Sequence, residues 1–327
     1  AAKAGRAVLN EFGLIPQYFN RPAPEGYLGV GDDCALFTPT PCWQLASSVD
    51  LLIEGQHFFA DVDPFLLGHK ALAVNLSDLG AMGAKPRACL LALSMPDVRP
   101  PWLEAFSAGL FQLADQAQCP LIGGDTTRSR QGVVISITVL GEVPAGQALR
   151  RSAARPGDDI WLTGTLGAAD IALRLLQGRL AADPARLAAS RAALEQPWPP
   201  YRLGHALAGV AHAAIDVSDG LVQDLGHIAT ASQCAAHLDW DALPLDRALL
   251  GLPASLQREA ALVGGDVFQL CFTAAPEQRE SVMALAQREG VSLSRVGTMQ
   301  RGSGVYVRDQ QGLHPAPAQG GFDHFGG

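Results

Sequence analysis

Aspartates set beside glycine and serine carry the chemical signal in this sequence. The stretch GVGDDCA at 29–35 ends a glycine turn in two carboxylates, Asp32 and Asp33. Glycine loops that grip phosphate directly supply backbone N–H groups and a lysine; this one supplies negative charge. Asp50, Asp78, Asp125, Asp216, Asp219 and Asp266 recur in similar settings, next to apolar runs or inside Gly and Ser turns. Surface acids ordinarily scatter among lysines on helix faces, yet the chain has only Lys3, Lys70 and Lys85. Each acid also has a structural explanation. Asp32 or Asp33 would stabilise a turn, Ser218 or Asp219 would cap a helix, and Asp125 would make an Asx turn. Asp78 is harder to explain that way. It falls late in an expected helix, on the side shared with Leu67, Ala71, Val74 and Met82. There a carboxylate meets the negative end of the helix dipole and a desolvation cost.

Gathered together, these acids repel one another unless cations intervene. An oxygen-only donor set without His or Cys selects Mg²⁺ over Zn²⁺. Mg²⁺ takes one or two carboxylates and fills its other positions with water and substrate phosphate. The chemistry indicated is metal-assisted handling of polyphosphate. The sequence contains no GxxxxGK(S/T) loop, no HRD or DFG set, no GxGxxG turn, no GxSxG elbow and no HExxH. The P-loop and protein-kinase routes are therefore excluded.

The elements that must position these residues follow from apolar periodicity. Strands are expected near 44–50, 86–95, 133–143, 159–163, 213–217, 266–273 and 303–308. Helices are expected at 64–82, 101–117, 167–177, 185–195, from 219, and at 276–289, the first two opening with proline at the first turn. The turn-rich stretch 144–158 reads as a domain junction, and PWPP at 197–200 breaks the chain. The mixture predicts α/β or α+β layers in both halves. One echo is present: LSD at 76–78 and GGD at 123–125 are matched by VSD at 217–219 and GGD at 264–266, both offset by 141 residues.

Totals bound the reading. A chain of 327 residues, 48% hydrophobic, accommodates two domains with real cores. A net charge of −8 argues against nucleic acid as the main partner. The six cysteines form no CxxC pair, which fits buried apolar residues in a reducing cytosol. No apolar run approaches 18 residues and no signal-peptide pattern opens the sequence, so a soluble cytoplasmic protein without membrane partners is expected.

Seven stretches in order carry a family resemblance: EFGLIPQYF (11–19), GVGDDCALF (29–37), DLLIEGQHF (50–58), LGHKALAVNLSDLGAMGAKP (67–86), LIGGDTTR (121–128), IDVSDGLVQDLGHI (215–228) and GGFDHF (320–325). They resemble thiamine-monophosphate kinases of the aminoimidazole-ribonucleotide-synthetase-like (PurM-like) superfamily. The resemblance implies a two-domain α/β (α+β) fold. Residues 1–148 would form an ATP- and Mg²⁺-binding β-sheet domain that pairs into a homodimer, and 149–327 an α/β domain. It also implies phosphorylation of thiamine monophosphate by ATP, with Mg²⁺. Carried over by motif, the metal positions would be Asp33, Ser48, Val49, Asp50, Asp78, Asp125, Asp216 and Asp219. Gly124, Asp125, Arg151 and Ser218 would meet ATP, and His57, Asp266 and Phe322 the thiamine phosphate. Arg151, Asp125 and Asp219 would carry catalysis. The alternatives are a surface arginine at 151, a packed histidine at 57 and a core anchor at 322.

The reaction suits the residues. The nucleophile would be a phosphate oxygen with a second pKa of about 6, mostly ionised at neutral pH, so no general base is required. The difficulty is the approach of two anions, which cations and one arginine relieve. Three departures from the family pattern stand out. GGDVFQL at 264–270 replaces GGEDYEL, which shortens one carboxylate at Asp266 and exchanges two acids for Val267 and Gln269; Val49 stands where Thr is frequent. Other readings are another ATP-dependent enzyme of the superfamily, a nucleotide-binding homologue without turnover, or a metal-binding structural protein. A selenophosphate synthetase would want a reactive Cys in an N-terminal glycine-rich loop, and none precedes Cys34.

Overall fold

The computed structural model describes residues 11–317 and Phe325. It divides into two compact units. The first comprises the chain up to Pro41 with Ser47–Asn75 and Pro86–Gly141. The second comprises Cys42–Ala46, Leu76–Lys85 and the chain from Glu142 onward. Both units are discontinuous in sequence, and one boundary falls inside a helix.

In chain order the first part carries α1 (Glu11–Leu14), β1 (Tyr27–Leu28), β2 (Leu36–Phe37), β3 (Trp43–Ile53), α2 (Pro64–Ala81), β4 (Lys85–Met95), α3 (Pro100–Ala117), β5 (Leu121–Arg128) and β6 (Val134–Pro144). A four-stranded sheet runs in the order β3-β6-β4-β5, and β1 with β2 forms a separate antiparallel pair. β4 and β5 are parallel, so α3 is the crossover that such a pair requires. Helix starts follow the sequence signals. Asp63 caps α2 by accepting the Phe65 N–H at 2.9 Å, with Pro64 at the first helical position. α3 also opens on proline and ends at Gln118 in the left-handed region. The two helices meet backbone to backbone. A Cβ on Gly68 would lie 2.1 Å from the Phe106 carbonyl oxygen, and one on Gly109 would lie 1.9 Å from that of Phe65.

The second part carries β7 (Asp159–Thr163), α4 (Ala168–Leu176), α5 (Pro184–Glu195), α6 (Tyr201–Leu207), β8 (Ala214–Val217), α7 (Leu221–Ser232), β9 (Ala235–Asp239), α8 (Ala254–Leu262), β10 (Gln269–Ala274), α9 (Arg279–Arg288), β11 (Leu293–Gln300), β12 (Gly304–Asp309) and β13 (Gly312–Pro315). Its seven-stranded sheet runs β13-β12-β9-β11-β7-β10-β8. Pairing is antiparallel throughout except for β12 against β9. β7 lies near the centre and is buried on both faces. Its alternate residues feed two cores. Ile160 and Leu162 join Ile215, Val217 and Leu225 on one side; Trp161 joins Phe272, Leu203 and Val282 on the other.

Most expected elements are present, and the chain has the two-domain α/β architecture. The misses have local causes. GGDTT, read as a turn, is strand β5, because its two glycines let the backbone lie against β4. The strand expected from 266 begins only at Gln269, since Asp266 (φ 56°) and Phe268 (φ 50°) are left-handed. β9, β11, α6 and α8 were not anticipated. The internal echo does not survive as structure: Leu76–Asp78 is helical and Val217–Asp219 leaves a strand for a turn, while Gly123–Asp125 is strand and Gly264–Asp266 is irregular. No helix among the described residues is long and apolar enough to cross a membrane.

Gly109→Ala should lower stability by about 2–3 kcal/mol, because the helices must separate to admit the methyl. Gly226→Ala, whose Cβ would only touch Val305 at 3.8 Å, should be neutral or stabilising by up to about 1 kcal/mol. Urea midpoints at unchanged m-value check both.

Candidate functional site

In the first unit, the GVGDDCA stretch is the connection of the β1–β2 pair, and Asp32 and Asp33 are exposed on it. β3 supplies the next group. Strand pleating puts Ser48 and Asp50, both half-buried, on one side with Ala46 and Leu52. Val49 projects to the other side with Leu45 and Leu51 and is 58% exposed. Its side chain, which carries no donor atom, is kept apart from Ser48 and Asp50.

β3 ends in a tight turn at His57. Its Nδ1 accepts the Ile53 N–H at 3.0 Å, while its own N–H donates to the Ile53 carbonyl at 2.9 Å. An accepting Nδ1 places the ring proton on Nε2. Gly124 and Asp125 lie on β5, opposite Leu91 and Ala92 of β4. Gly124 has φ +155°, and a Cβ there would sit 1.9 Å from the Leu91 carbonyl oxygen. This position is closed to any side chain. Asp125 is exposed beside it.

In the second unit, Asp78 is half-buried near the C-terminal end of α2, two residues before Gly80, which packs against Tyr201 of α6. Asp216 is the third residue of β8, opposite Leu270 of β10, and is 8% exposed. Ser218 and Asp219 form the turn between β8 and α7. Asp224, which the sequence reading missed, holds that turn. Its Oδ2 accepts the N–H groups of Ser218, Asp219 and Gly220 at 2.9, 3.0 and 3.2 Å. It is a carboxylate reaching back from the first turn of α7 to the N–H of the N-cap Gly220 and to those of the two residues before it. An acid one turn after SDG, in SDGLVQD, is the signal that could have found it. Burial, then the neighbouring charge of Asp219, pushes the Asp224 carboxyl up to about 6, against the pull of the three N–H groups.

The same turn holds the 264–268 segment. The Asp266 N–H donates to Ser218 O at 2.8 Å and the Phe268 N–H to Val217 O at 2.7 Å. Asp266 is thus brought to the Ser218–Asp219 turn, in a left-handed conformation that Asp tolerates. Gln269 follows with its Oε1 accepting from the Thr163 hydroxyl at 2.8 Å. Arg151 is placed elsewhere. Its carbonyl accepts from Ser232 Oγ at 2.7 Å, so its backbone sits at the C-terminal end of α7. The Asp219 turn sits at the other end of this 12-residue helix, about 18 Å away along the axis. Phe322 lies outside the described residues.

No group of three or more His, Cys, Asp or Glu poised around one metal position exists among the described residues. Mg²⁺ does not need one, since it binds through one or two carboxylates plus water and phosphate. The donor chemistry fits that ion. The acids offer hard oxygens, and the Asp219–Asp224 pair carries a repulsion that a cation would relieve. Of the N–H groups at the start of α7, that of the N-cap Gly220 already serves Asp224, as do those of Ser218 and Asp219 in the turn before it.

Asp224→Ala should cost about 2–3 kcal/mol, since it leaves buried N–H donors unpaired. Asp224→Asn, which keeps an acceptor oxygen, should cost clearly less. Chemical denaturation of the two variants checks this; equal losses would show that the three N–H groups do not depend on this side chain.

Comparison with known proteins bears on the chain as a whole. Residues 31–143 match the family AIR synthase related protein, N-terminal domain, and 155–310 match its C-terminal domain. The chain is 44% identical over 324 residues to a thiamine-monophosphate kinase of Salmonella typhimurium, covering 96% of this chain and 98% of that protein. Identity to the enzyme of Escherichia coli K12 is 43% over 323 residues, with the same coverage. The crystal structure of thiamine-monophosphate kinase from Stenotrophomonas maltophilia superposes with a TM-score of 0.81 at 48% identity, covering 86% of this chain and 91% of that one. AaThiL complexed with AMPPCP and TMP gives 0.76 at 27% identity, covering 88% and 89%. Hydrogenase maturation protein HypE, at 22% identity and a TM-score of 0.73, shares the fold. Two family models that together span most of the sequence and likeness to curated relatives along nearly all of it converge: this protein belongs to the thiamine-monophosphate kinase family of ATP-dependent kinases.

Proposed function

We propose that the chain transfers the γ-phosphoryl group of ATP to thiamine monophosphate, giving thiamine diphosphate and ADP. The observation that carries this reading is 44% identity to a thiamine-monophosphate kinase along 96% of the chain. The Asp224-held turn supports it chemically. Asp33, Ser48, Asp50, Asp78, Asp125, Asp216 and Asp219 would hold Mg²⁺, with Val49 contributing through its carbonyl. Bound there, Mg²⁺ neutralises the phosphates and aligns donor and acceptor for in-line displacement.

The protein's own groups divide the remaining work. Gly124 would meet the nucleotide through its backbone, its missing side chain serving the close approach of β5 to β4, and Ser218 would meet it at the α7 turn. Arg151, anchored at the far end of α7, acts on the nucleotide separately from Asp219. His57 and Asp266 would meet the thiamine phosphate, and Phe322 would give its ring a stacking surface. No protein base is assigned, because the attacking phosphate oxygen is already ionised at neutral pH. A nucleotide-binding homologue without turnover is the second reading, favoured by Val267 and Gln269 standing where the family carries acids.

We also propose a homodimer formed through the first unit. β3 is an edge strand, and its outer face exposes Leu45 (57%), Val49 (58%) and Leu51 (50%). An apolar edge of this kind is normally covered.

Incubation with Mg-ATP and thiamine monophosphate should yield ADP and thiamine diphosphate one to one, and EDTA should abolish both. ATP binding without thiamine diphosphate would establish the homologue reading. Leu45→Glu combined with Leu51→Glu should convert the dimer to monomer in sedimentation velocity, and an unchanged sedimentation coefficient would refute β3 as the interface.

A further inference from the structure

We propose that Arg87 is a positioning residue that sets the location of the Asp32–Asp33 loop. The inference rests on the reading of Asp33 as a Mg²⁺ ligand. The loop is carried by a pair of strands joined by only two residue pairs, Tyr27 with Phe37 and Leu28 with Leu36. A hairpin that short has little stability of its own, so whatever grips its stem decides where the carboxylates stand.

Arg87, on β4, grips the stem in two ways. Tyr27 and Phe37 stack with ring centroids 5.4 Å apart and planes at 22°. The Arg87 guanidinium lies over both rings, its Cζ 5.8 Å from the Tyr27 centroid and 5.3 Å from that of Phe37. The same guanidinium donates from Nε to Tyr27 Oη at 3.1 Å, from Nη1 to Thr40 Oγ1 at 3.2 Å and from Nη2 to Thr38 O at 3.3 Å. The Tyr27 hydroxyl donates in turn to the Arg87 carbonyl at 2.9 Å. One side chain thus ties both strands, and the segment after the second, to the four-stranded sheet. The task needs a planar fork that stacks and donates in several directions at once. Lysine supplies the charge but neither the plane nor the fork.

The test uses the full chain with Arg87→Ala, Arg87→Lys, Tyr27→Phe and Asp33→Asn. Mn²⁺ binding is followed by electron paramagnetic resonance with a non-hydrolysable ATP analogue, and hydrogen exchange is followed over residues 27–37. Arg87→Ala should weaken Mn²⁺ binding roughly tenfold and speed exchange across the hairpin. Turnover at saturating Mg²⁺ should be largely retained, and Arg87→Lys should not rescue the metal affinity. Tyr27→Phe, which removes only the hydroxyl contacts, should give a smaller change in the same direction and serves if Arg87→Ala fails to fold. Wild-type exchange and metal affinity in Arg87→Ala, or full rescue by lysine, would overturn the proposal. Asp33→Asn should weaken metal binding without altering hairpin exchange. Unchanged Mn²⁺ affinity in Asp33→Asn would instead remove Asp33 from the metal set, leaving the exchange data to judge the clamp alone.

Discussion

A single carboxylate oxygen holds the β8–α7 turn of the second unit. Asp224 Oδ2 takes the N–H groups of Ser218 and Asp219 in the turn and of Gly220 at the N-cap of α7. With those donors tied to one side chain, the backbone of the turn has a single course. Its geometry then spreads outward. Gly220 is locked at φ +144°, where a Cβ would lie 2.6 Å from the Val263 carbonyl oxygen. The 264–268 segment hydrogen-bonds onto the turn, which carries Asp266 to it. The placing of Ser218, Asp219 and Asp266 is thus built into the backbone.

The surrounding fold keeps such a turn rigid. β8 enters it from a sheet packed on both faces, and α7 leaves it with Leu221, Leu225 and Ile228 in one core. The strained neighbours, Asp266 and Phe268, are tolerated because hydrogen bonds on both sides over-determine them.

Much of this was legible in the sequence. Long periodic segments such as α2, α3, β4 and β6 declared themselves through proline starts and apolar spacing, and the acids beside Gly and Ser marked the candidate ligands. What stayed hidden depends on contacts between segments distant in sequence. GGDTT looks like a turn until β4 lies beside it, because glycine's local preference says nothing about its partner strand. β9 is short and β11 (LSRVGTMQ) mixes polar with apolar residues, so both gain their identity from pairing. Asp224 looked like an ordinary helix residue because its partners are backbone groups, which leave no trace in residue type. Arg151, read at the domain junction, has its backbone held by Ser232 at the C-terminal end of α7, a contact between residues 81 apart that no local pattern announces.

β3 deserves a last thought, because one strand serves two opposite environments. Ser48 and Asp50 face one way, and Leu45, Val49 and Leu51 face the other. Substitutions on either face can be selected one at a time. An insertion or deletion cannot, because a shift by one residue exchanges the faces wholesale. It would send the oxygens outward and bring the leucines among the acids. In evolutionary terms the strand is free to change its letters but not its length, and its two faces inherit together.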